Sequence, residues 1–194
     1  MRIGIDIDGV LTNIEQFILD YGSKFCAENN LPLNIKESDY NEKITFNWTE
    51  KQAIKFWNEY IMYYFTEYPA RDFAPQIIKK LKDEGNEIYL ITARCDYGVP
   101  KEYTGKVEEI TRQWLKENDI KYDKIIFTEG NKLPYCVGNY IEVLIEDSPI
   151  NIEEVAIQIP VICYNNQYNQ NEKGKKVTRA YSWYDVYEKI KAMK

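Results

Sequence analysis

Arg2-Ile3-Gly4-Ile5-Asp6-Ile7-Asp8-Gly9-Val10-Leu11-Thr12 is the stretch on which the reading of this chain turns. A short apolar run ends in a glycine turn, and two carboxylates occupy alternate positions at its end. Residues two apart in a strand point to the same side. Asp6 and Asp8 therefore emerge together at the carboxyl end of the strand, where open α/β sheets form their ligand crevices. Like charges that close repel unless a cation or a proton separates them. The pair predicts a bound Mg²⁺ ion with a phosphoryl group beside it.

Composition narrows the chemistry further. A chain of 194 residues is long enough for one well-buried domain with an inserted subdomain. Its apolar and charged fractions, 44% and 29%, are those of a folded globular protein and exclude wholesale disorder. No apolar run approaches the roughly 20 residues that span a bilayer, and Met1 leads straight into a strand with no signal-peptide core, so no membrane partner is expected. Cys26, Cys95, Cys136 and Cys163 are scattered without a CxxC pair, which predicts neither a zinc site nor a disulfide framework. They read as buried apolar fillers, and a cytoplasmic location follows. The net charge of −6, with no basic tract, argues against a nucleic acid polymer as partner. An anionic substrate would need a local cation against that field. The chain has no histidine, which removes Ser-His-Asp and Cys-His catalysis, histidine phosphatases and His-ligated dimetal hydrolases together. Acid–base work falls to carboxylate, lysine or tyrosine, and an all-oxygen carboxylate site suits Mg²⁺ rather than zinc.

Five short runs rich in Ile, Val and Tyr read as buried parallel strands: Ile3–Ile7, Glu87–Thr92, Asp123–Phe127, Tyr140–Glu146 and Pro160–Tyr164. Helical patterns fall between them. Pro75–Glu84 starts on proline and stops at Gly85. Lys106–Asn118 carries Val107, Ile110, Trp114 and Leu115 on one face. Asn151–Ala156 is short, and Ser182–Met193 has Ser182 as N-cap with Asp185 at the capping-box position. The alternation predicts an α/β fold with a doubly wound, Rossmann-like parallel sheet. From about Asn13 to Phe73 the pattern is helical instead, with helices over Glu15–Asn29 and Thr49–Tyr64 and a polar stretch, Asn30–Asn47, between them. This predicts a helical cap inserted after the first strand, hence a core of residues 1–12 and 74–194 and a cap of residues 13–73. The cap is dense in aromatic residues (Phe46, Trp48, Phe56, Trp57, Tyr60, Tyr63, Tyr64, Phe65, Tyr68), most expected in its own core and a minority facing the crevice to stack on a substrate ring. Asn165–Asn171 reads as a polar surface loop.

Groups suited to phosphate or metal fall at the ends of four consecutive strands: Asp6 and Asp8, then Thr92, then Lys132, then Asp147. Each alone has a plainer reading. Thr92 could end any strand, Lys132 could be solvated with Lys124 as its substitute, and Glu146-Asp147-Ser148-Pro149 could simply cap the next helix. A calcium loop is excluded, since it needs glycine at its sixth position and Gly9 is fourth. Taken in order, the groups describe phosphoryl transfer. Asp6 would attack phosphorus in line and form an aspartyl-phosphate. Asp8 would protonate the leaving oxygen and then deprotonate the hydrolytic water. Mg²⁺ would be held by the Asp6 and Asp147 carboxylates and the Asp8 backbone carbonyl. The Thr92 hydroxyl and nearby backbone N–H groups would bind phosphoryl oxygens, and Lys132 would neutralise the charge of nucleophile and phosphate.

Asp6-Ile-Asp8-Gly9-Val10, Ile91-Thr92-Ala93-Arg94, Lys132 and Ile145-Glu146-Asp147-Ser148-Pro149 resemble the four ordered motifs of the haloacid dehalogenase superfamily, spread over nearly the whole chain. Within it they resemble the 5′(3′)-deoxyribonucleotidases and their bacterial relatives. That resemblance implies a Mg²⁺-dependent phosphoric monoester hydrolase acting on nucleoside or deoxyribonucleoside monophosphates, with a helical cap. It implies Asp6, Asp8, Thr92 and Lys132 as catalytic residues, and Thr92, Ala93, Arg94 and Lys132 as contacts to a small phosphorylated substrate. The metal set it implies is Asp6, Asp8 and Asp147, with Glu146 outer-sphere or structural, and a homodimer is compatible with it. Arg94 has two open roles, a phosphate or base contact and a structural ion pair. Cys95-Asp96-Tyr97-Gly98 forms a glycine-bearing loop at the expected substrate entrance. Two alternatives stand beside this reading: a phosphatase of another small metabolite such as a sugar phosphate, and a non-catalytic binding module of the same fold.

Overall fold

A computed structural model of the chain describes residues 1–35 and 37–193. Six strands form one sheet: β1 (Arg2–Ile5), β2 (Glu87–Thr92), β3 (Lys124–Phe127), β4 (Val143–Glu146), β5 (Val161–Tyr164) and β6 (Val177–Ala180). Their spatial order is β3-β2-β1-β4-β5-β6, and every neighbouring pair is parallel. The chain winds outward from β1 to β3, then returns to lay β4 against the other side of β1. The strand order therefore reverses between β1 and β4, the switch point where such sheets open a crevice at their carboxyl ends.

Side-chain alternation explains the layers. Ile3, Ile5, Ile88, Leu90, Val143, Ile145, Ile162 and Tyr164 face one cluster, which the helices α4 (Ala74–Asp83), α5 (Val107–Glu117) and α8 (Trp183–Ala192) complete with Ile77, Leu81, Trp114, Leu115, Trp183 and Ile190. Ile91, Leu144, Val161 and Cys163 face the opposite cluster, closed by α6 (Leu133–Gly138) and α7 (Pro149–Ala156) through Cys136, Ile152 and Val155. Both faces are covered, so the strands carry near-continuous apolar runs, as parallel strands must.

Between β1 and α4 lie α1 (Ile14–Glu28), α2 (Glu42–Phe46) and α3 (Glu50–Thr66). Thr49 caps α3 through a reciprocal box with Gln52, and Ser182 caps α8 by accepting the Asp185 N–H at 3.2 Å. These first helices pack around a third cluster of their own, including Phe17, Phe25, Phe46, Trp48, Phe56 and Tyr60, which reaches the core helix α5 at Val107. Ring pairs such as Phe46–Trp48, stacked at 4.5 Å, and Phe25–Trp48, edge-on at 5.2 Å, contribute about 0.5–1.5 kcal/mol each beyond their buried area.

Two elements escape the sequence reading besides the short helices α2 and α6. The sixth strand, Val177-Thr-Arg-Ala, is a sheet edge with a single fully buried residue, Ala180, so it shows no apolar run. The segment 165–171, expected as a solvated loop, is so only in part: Gln167, Gln170 and Asn171 are exposed, whereas Asn166 and Asn169 are enclosed and hydrogen-bonded beneath the strand ends.

Candidate active site

The turn after β1 places the first groups. Asp6 extends the β1–β4 ladder with its N–H on the Ile145 carbonyl at 3.0 Å. The Leu11 and Thr12 N–H groups both fold back onto the Ile7 carbonyl, at 2.8 and 3.0 Å. Gly9 sits in that turn at φ +94°, and a Cβ there would lie 1.9 Å from Asp147 Oδ2. Only glycine permits both the left-handed backbone and the approach of the two strand ends.

Asp6, Glu146 and Asp147 are fully enclosed, with one carboxylate oxygen from each within 4.8 Å of the others. Lys132, at the N-terminus of α6 and only 2% exposed, places its ammonium on Asp6 Oδ1 and, at 2.8 Å, on Glu146 Oε2. The other Glu146 oxygen accepts the N–H groups of Asp147 and Ser148, each at 3.0 Å. Both Glu146 oxygens are thus engaged by the protein. Three buried carboxylates face one ammonium, which leaves two negative charges uncompensated. Burial accordingly pushes Asp6 up to about 7, Glu146 and Asp8 add to the rise, and Lys132 opposes it. Burial also raises Asp147 well above the usual carboxylate range, with Glu146 and Asp6 adding. Burial disfavours the Lys132 ammonium, but Asp6 and Glu146 outweigh it and hold its pKa above the ordinary lysine value. An all-oxygen set short of two positive charges fits a divalent magnesium ion.

Asp8 faces a different environment. Arg94 grips its carboxylate with Nη2 on Oδ1 at 2.7 Å and Nε on Oδ1 and Oδ2 at 3.0 and 3.1 Å. Tyr64 of α3 donates to Oδ1 at 2.9 Å, and its oxygen lies 2.6 Å from the Thr12 hydroxyl. Of the two roles open for Arg94, the structure shows the ion pair. Thr92 ends β2 fully buried, and its hydroxyl accepts the Arg94 N–H at 3.2 Å.

Asp6, Glu146, Lys132, Asp8, Arg94 and Tyr64 meet at a cavity of about 360 Å³, within the size class of small-ligand sites, and Asp147 lies behind its lining. Asp6, Asp8, Ala93, Arg94, Lys132 and Glu146 line its floor. Tyr40, Trp57, Tyr64, Phe65 and Tyr97 supply most of its apolar wall, and Glu42 stands among them, accepting the Trp57 indole N–H at 3.1 Å. Gly98, at φ +74°, lets the loop after β2 close on α3, since a Cβ there would lie 2.9 Å from Trp57 Cβ. Cys95 is exposed and lines the cavity, unlike the buried filler its sequence suggested; the other three cysteines are buried as expected. Thr92 does not line the cavity, and Lys124 lies outside it, bonded to Asn139 on the surface at 2.7 Å. A larger groove of about 1310 Å³ runs along α5 but holds none of the acidic groups of the cluster.

Several supporting residues have no local signal in the sequence. Tyr168 donates its hydroxyl to Asp147 Oδ2, and Asn169 donates to the Asp147 carbonyl at 2.9 Å. Arg71 donates to the carbonyls of Thr12 and Gly9, at 3.0 and 3.1 Å, and to Asn166 Oδ1 at 2.8 Å. Its guanidinium stacks on Tyr164 at 4.7 Å. The Asn-rich segment thereby ties the turn after β1 to the end of β4.

Comparison with known proteins bears on the family and the fold. The family model described as "5' nucleotidase, deoxy (Pyrimidine), cytosolic type C protein" matches residues 1–194. A Bacillus subtilis (strain 168) protein named "Putative nucleotidase YqfW" is 28% identical over 192 residues, covering 97% of this chain and 92% of its own length. A Chlorobaculum tepidum protein named "Putative 5'(3')-deoxyribonucleotidase" is 26% identical over 203 residues, covering 98% of this chain and 90% of its own. The fold is shared with a haloacid dehalogenase-like protein of Agrobacterium tumefaciens at a TM-score of 0.70 and 13% identity, over 98% of this chain and 97% of that one. Among the described residues no helix is long and apolar enough to cross a membrane.

Proposed function

The chain belongs to the 5′ nucleotidase, deoxy (pyrimidine), cytosolic type C family of phosphoric monoester hydrolases, and we propose that it hydrolyses nucleoside and deoxyribonucleoside monophosphates through an aspartyl-phosphate on Asp6. The observation that carries this reading is the placement of Asp6, Lys132 and Asp8 on the floor of a cavity walled by aromatic rings. The phosphoryl group enters toward Asp6, and the nucleoside lies against Trp57, Tyr97 and their neighbours, whose faces suit a flat base.

Asp6 attacks phosphorus as the ester P–O bond breaks, and Asp8 gives its proton to the departing oxygen. Asp8 then takes a proton from water as that water attacks the same phosphorus, and inorganic phosphate leaves with Asp6 restored. Lys132, already on Asp6, offsets the charge gathering on nucleophile and phosphoryl oxygens. The backbone of Ala93, which lines the cavity, completes the phosphoryl contacts, while Thr92, buried behind it with its hydroxyl accepting the Arg94 N–H, holds that turn in place. Asp6 and Asp147, with the Asp8 backbone carbonyl, would hold Mg²⁺, while Glu146, fully occupied by Lys132 and two N–H groups, orients them from behind. When bound, Mg²⁺ supplies the positive charge that polarises the phosphoryl group and shields the carboxylates. The helices of residues 13–73 act as the cap that supplies most of the aromatic wall, and the description of the matching family as cytosolic supports a cytoplasmic location.

Release of inorganic phosphate from a panel of nucleoside monophosphates and sugar phosphates, with and without Mg²⁺, tests the reading. Mg²⁺-dependent release from nucleotides is expected. Cleavage of sugar phosphates alone would reject the nucleotide as substrate, and no turnover of any ester would reject the enzyme reading.

A further inference from the structure

Resting on the phosphatase reading above, we propose that Arg94 and Tyr64 are positioning residues that aim the Asp8 carboxylate at the leaving-group oxygen. Through Tyr64, the helical cap is thereby built into the proton-transfer step.

Arg94 is placed to orient Asp8: Nε and Nη2 are spent on that carboxylate, and Nη1 is buried with no hydrogen-bond partner. Its side chain is fully buried, whereas that of Asp8 is 23% exposed toward the cavity. Its guanidinium lies against Phe65 at 4.6 Å, Trp114 at 5.3 Å and Tyr64 at 5.6 Å. Two of these rings belong to α3 and one to the core helix α5, so the group is clamped between cap and core. Swinging out to meet a phosphate would break three hydrogen bonds and strip the rings of their cation. A planar fork held on both sides fixes not only the place of a carboxylate but its rotation.

The bonds to Asp8 are also unequal. Oδ1 receives Arg94 Nη2, Arg94 Nε and the Tyr64 hydroxyl, while Oδ2 receives only the longer Nε contact. Oδ1 is saturated, which leaves Oδ2 as the oxygen that exchanges protons. Tyr64 gives its proton to Asp8, so Thr12 supplies the proton for the 2.6 Å contact between their hydroxyls. Thr12 lies in the same turn as Asp8, so Tyr64 bridges α3 to both ends of that turn. In the first step the Asp6–P bond forms, the ester P–O bond breaks, and the Oδ2 proton passes to the leaving oxygen. In the second, water gives a proton back to Oδ2 as its oxygen bonds to phosphorus and the acyl-phosphate bond breaks.

A misaimed acid slows only those esters whose leaving oxygen needs a proton. A nucleoside alkoxide needs one, whereas 4-nitrophenolate leaves without it. The test compares wild type, Arg94→Gln and Tyr64→Phe, each with Mg²⁺, by the first-turnover release of nucleoside and of 4-nitrophenolate. Arg94→Gln is expected to lower the nucleotide-to-aryl ratio by about tenfold or more, part of the roughly 10²–10⁴ that a general acid contributes. Tyr64→Phe keeps the ring and should shift the ratio in the same direction by less, and it carries the test if Arg94→Gln fails to fold. Equal losses on both esters, or a gain on the nucleotide, would overturn the inference. If wild type cleaves no nucleotide, the ratio of a simple alkyl phosphate to the aryl ester decides the inference, and only the substrate assignment fails.

Discussion

Asp6 and Asp8 leave the same strand end two residues apart, yet their surroundings have little in common. Asp6 sits among groups supplied by the sheet and one helix behind it, from the ends of β1 and β4 and the start of α6, and every one of them is buried. Asp8 is held by an arginine from the loop after β2 and a tyrosine from α3, with aromatic rings stacked behind. The first environment is deficient in positive charge, and the second is matched charge for charge with a solvated edge. One residue type acquires two characters because the turn at Gly9 sends one carboxylate into the sheet's switch point and the other toward the helices. On the proposed mechanism the nucleophile would be set by the sheet, and the aim of the acid by the sheet and α3 together.

The comparison breaks most visibly at Asp6. Asp6→Asn should remove turnover by roughly 10⁴-fold or more while thermal unfolding shows the fold intact, because the change also relieves buried repulsion. Substantial residual activity would refute the nucleophile assignment. Gly9→Ala tests the junction between the two environments. A left-handed backbone at φ +94° and a Cβ 1.9 Å from Asp147 predict a loss of roughly 1–3 kcal/mol in denaturant unfolding, and a wild-type midpoint would show that the strand ends need no such approach. Tyr168→Phe removes the hydroxyl on Asp147 without touching Asp8. Calorimetry should show Mg²⁺ affinity weakened about tenfold, and an unchanged affinity would mean that Tyr168 does not orient Asp147.

The smallest expected effect is a linkage to pH. Without a cation, Asp6 is raised to about 7 and Asp147 lies well above its usual range. A carboxylate whose folded pKa exceeds its unfolded value adds stability at pH below that unfolded value, and the contribution is lost as pH rises through the folded one. The cation-free protein should therefore lose this contribution as pH climbs from the ordinary aspartate range through about 7. Mg²⁺ competes with those protons, so its stabilising effect in thermal unfolding should be larger at pH 8 than at pH 6, with protons released on binding. An equal shift at both pH values would contradict the buried-carboxylate account.

Much of this site was legible because its chemistry is local to strand ends. Asp6-Ile-Asp8-Gly9, the Thr92 turn and Glu146-Asp147 each follow an apolar run, but β1 ends at Ile5, so period-two alternation does not reach Asp8, whose direction is set by the turn at Gly9. Lys132 was legible only by its place in the series, since one lysine in a sequence looks like another. What the sequence hid was long-range and polar. Asn166, Asn169 and Arg71 bond backbone carbonyls far from them in the chain, and an amide-rich segment suits such carbonyls as well as it suits water. The fully engaged Glu146 and the hydroxyl of Tyr168 belong to the same network. In the cap, aromatic density announced a core but not which ring would turn outward, and Tyr64 differs from its neighbours only in what lies beneath its hydroxyl. The expectation that most rings pack inward holds, and Trp57, Tyr64 and Phe65 are the ones among them that reach the cavity.

The central claim is that Asp6 carries the phosphoryl group. Acid quenching of the enzyme during turnover of a nucleoside monophosphate with Mg²⁺, followed by peptide mass analysis, tests it directly. A phosphoryl group on the peptide containing Asp6, absent from Asp6→Asn, is the predicted result. Steady phosphate release with that peptide unmodified, or with the phosphoryl group on another residue, would contradict it.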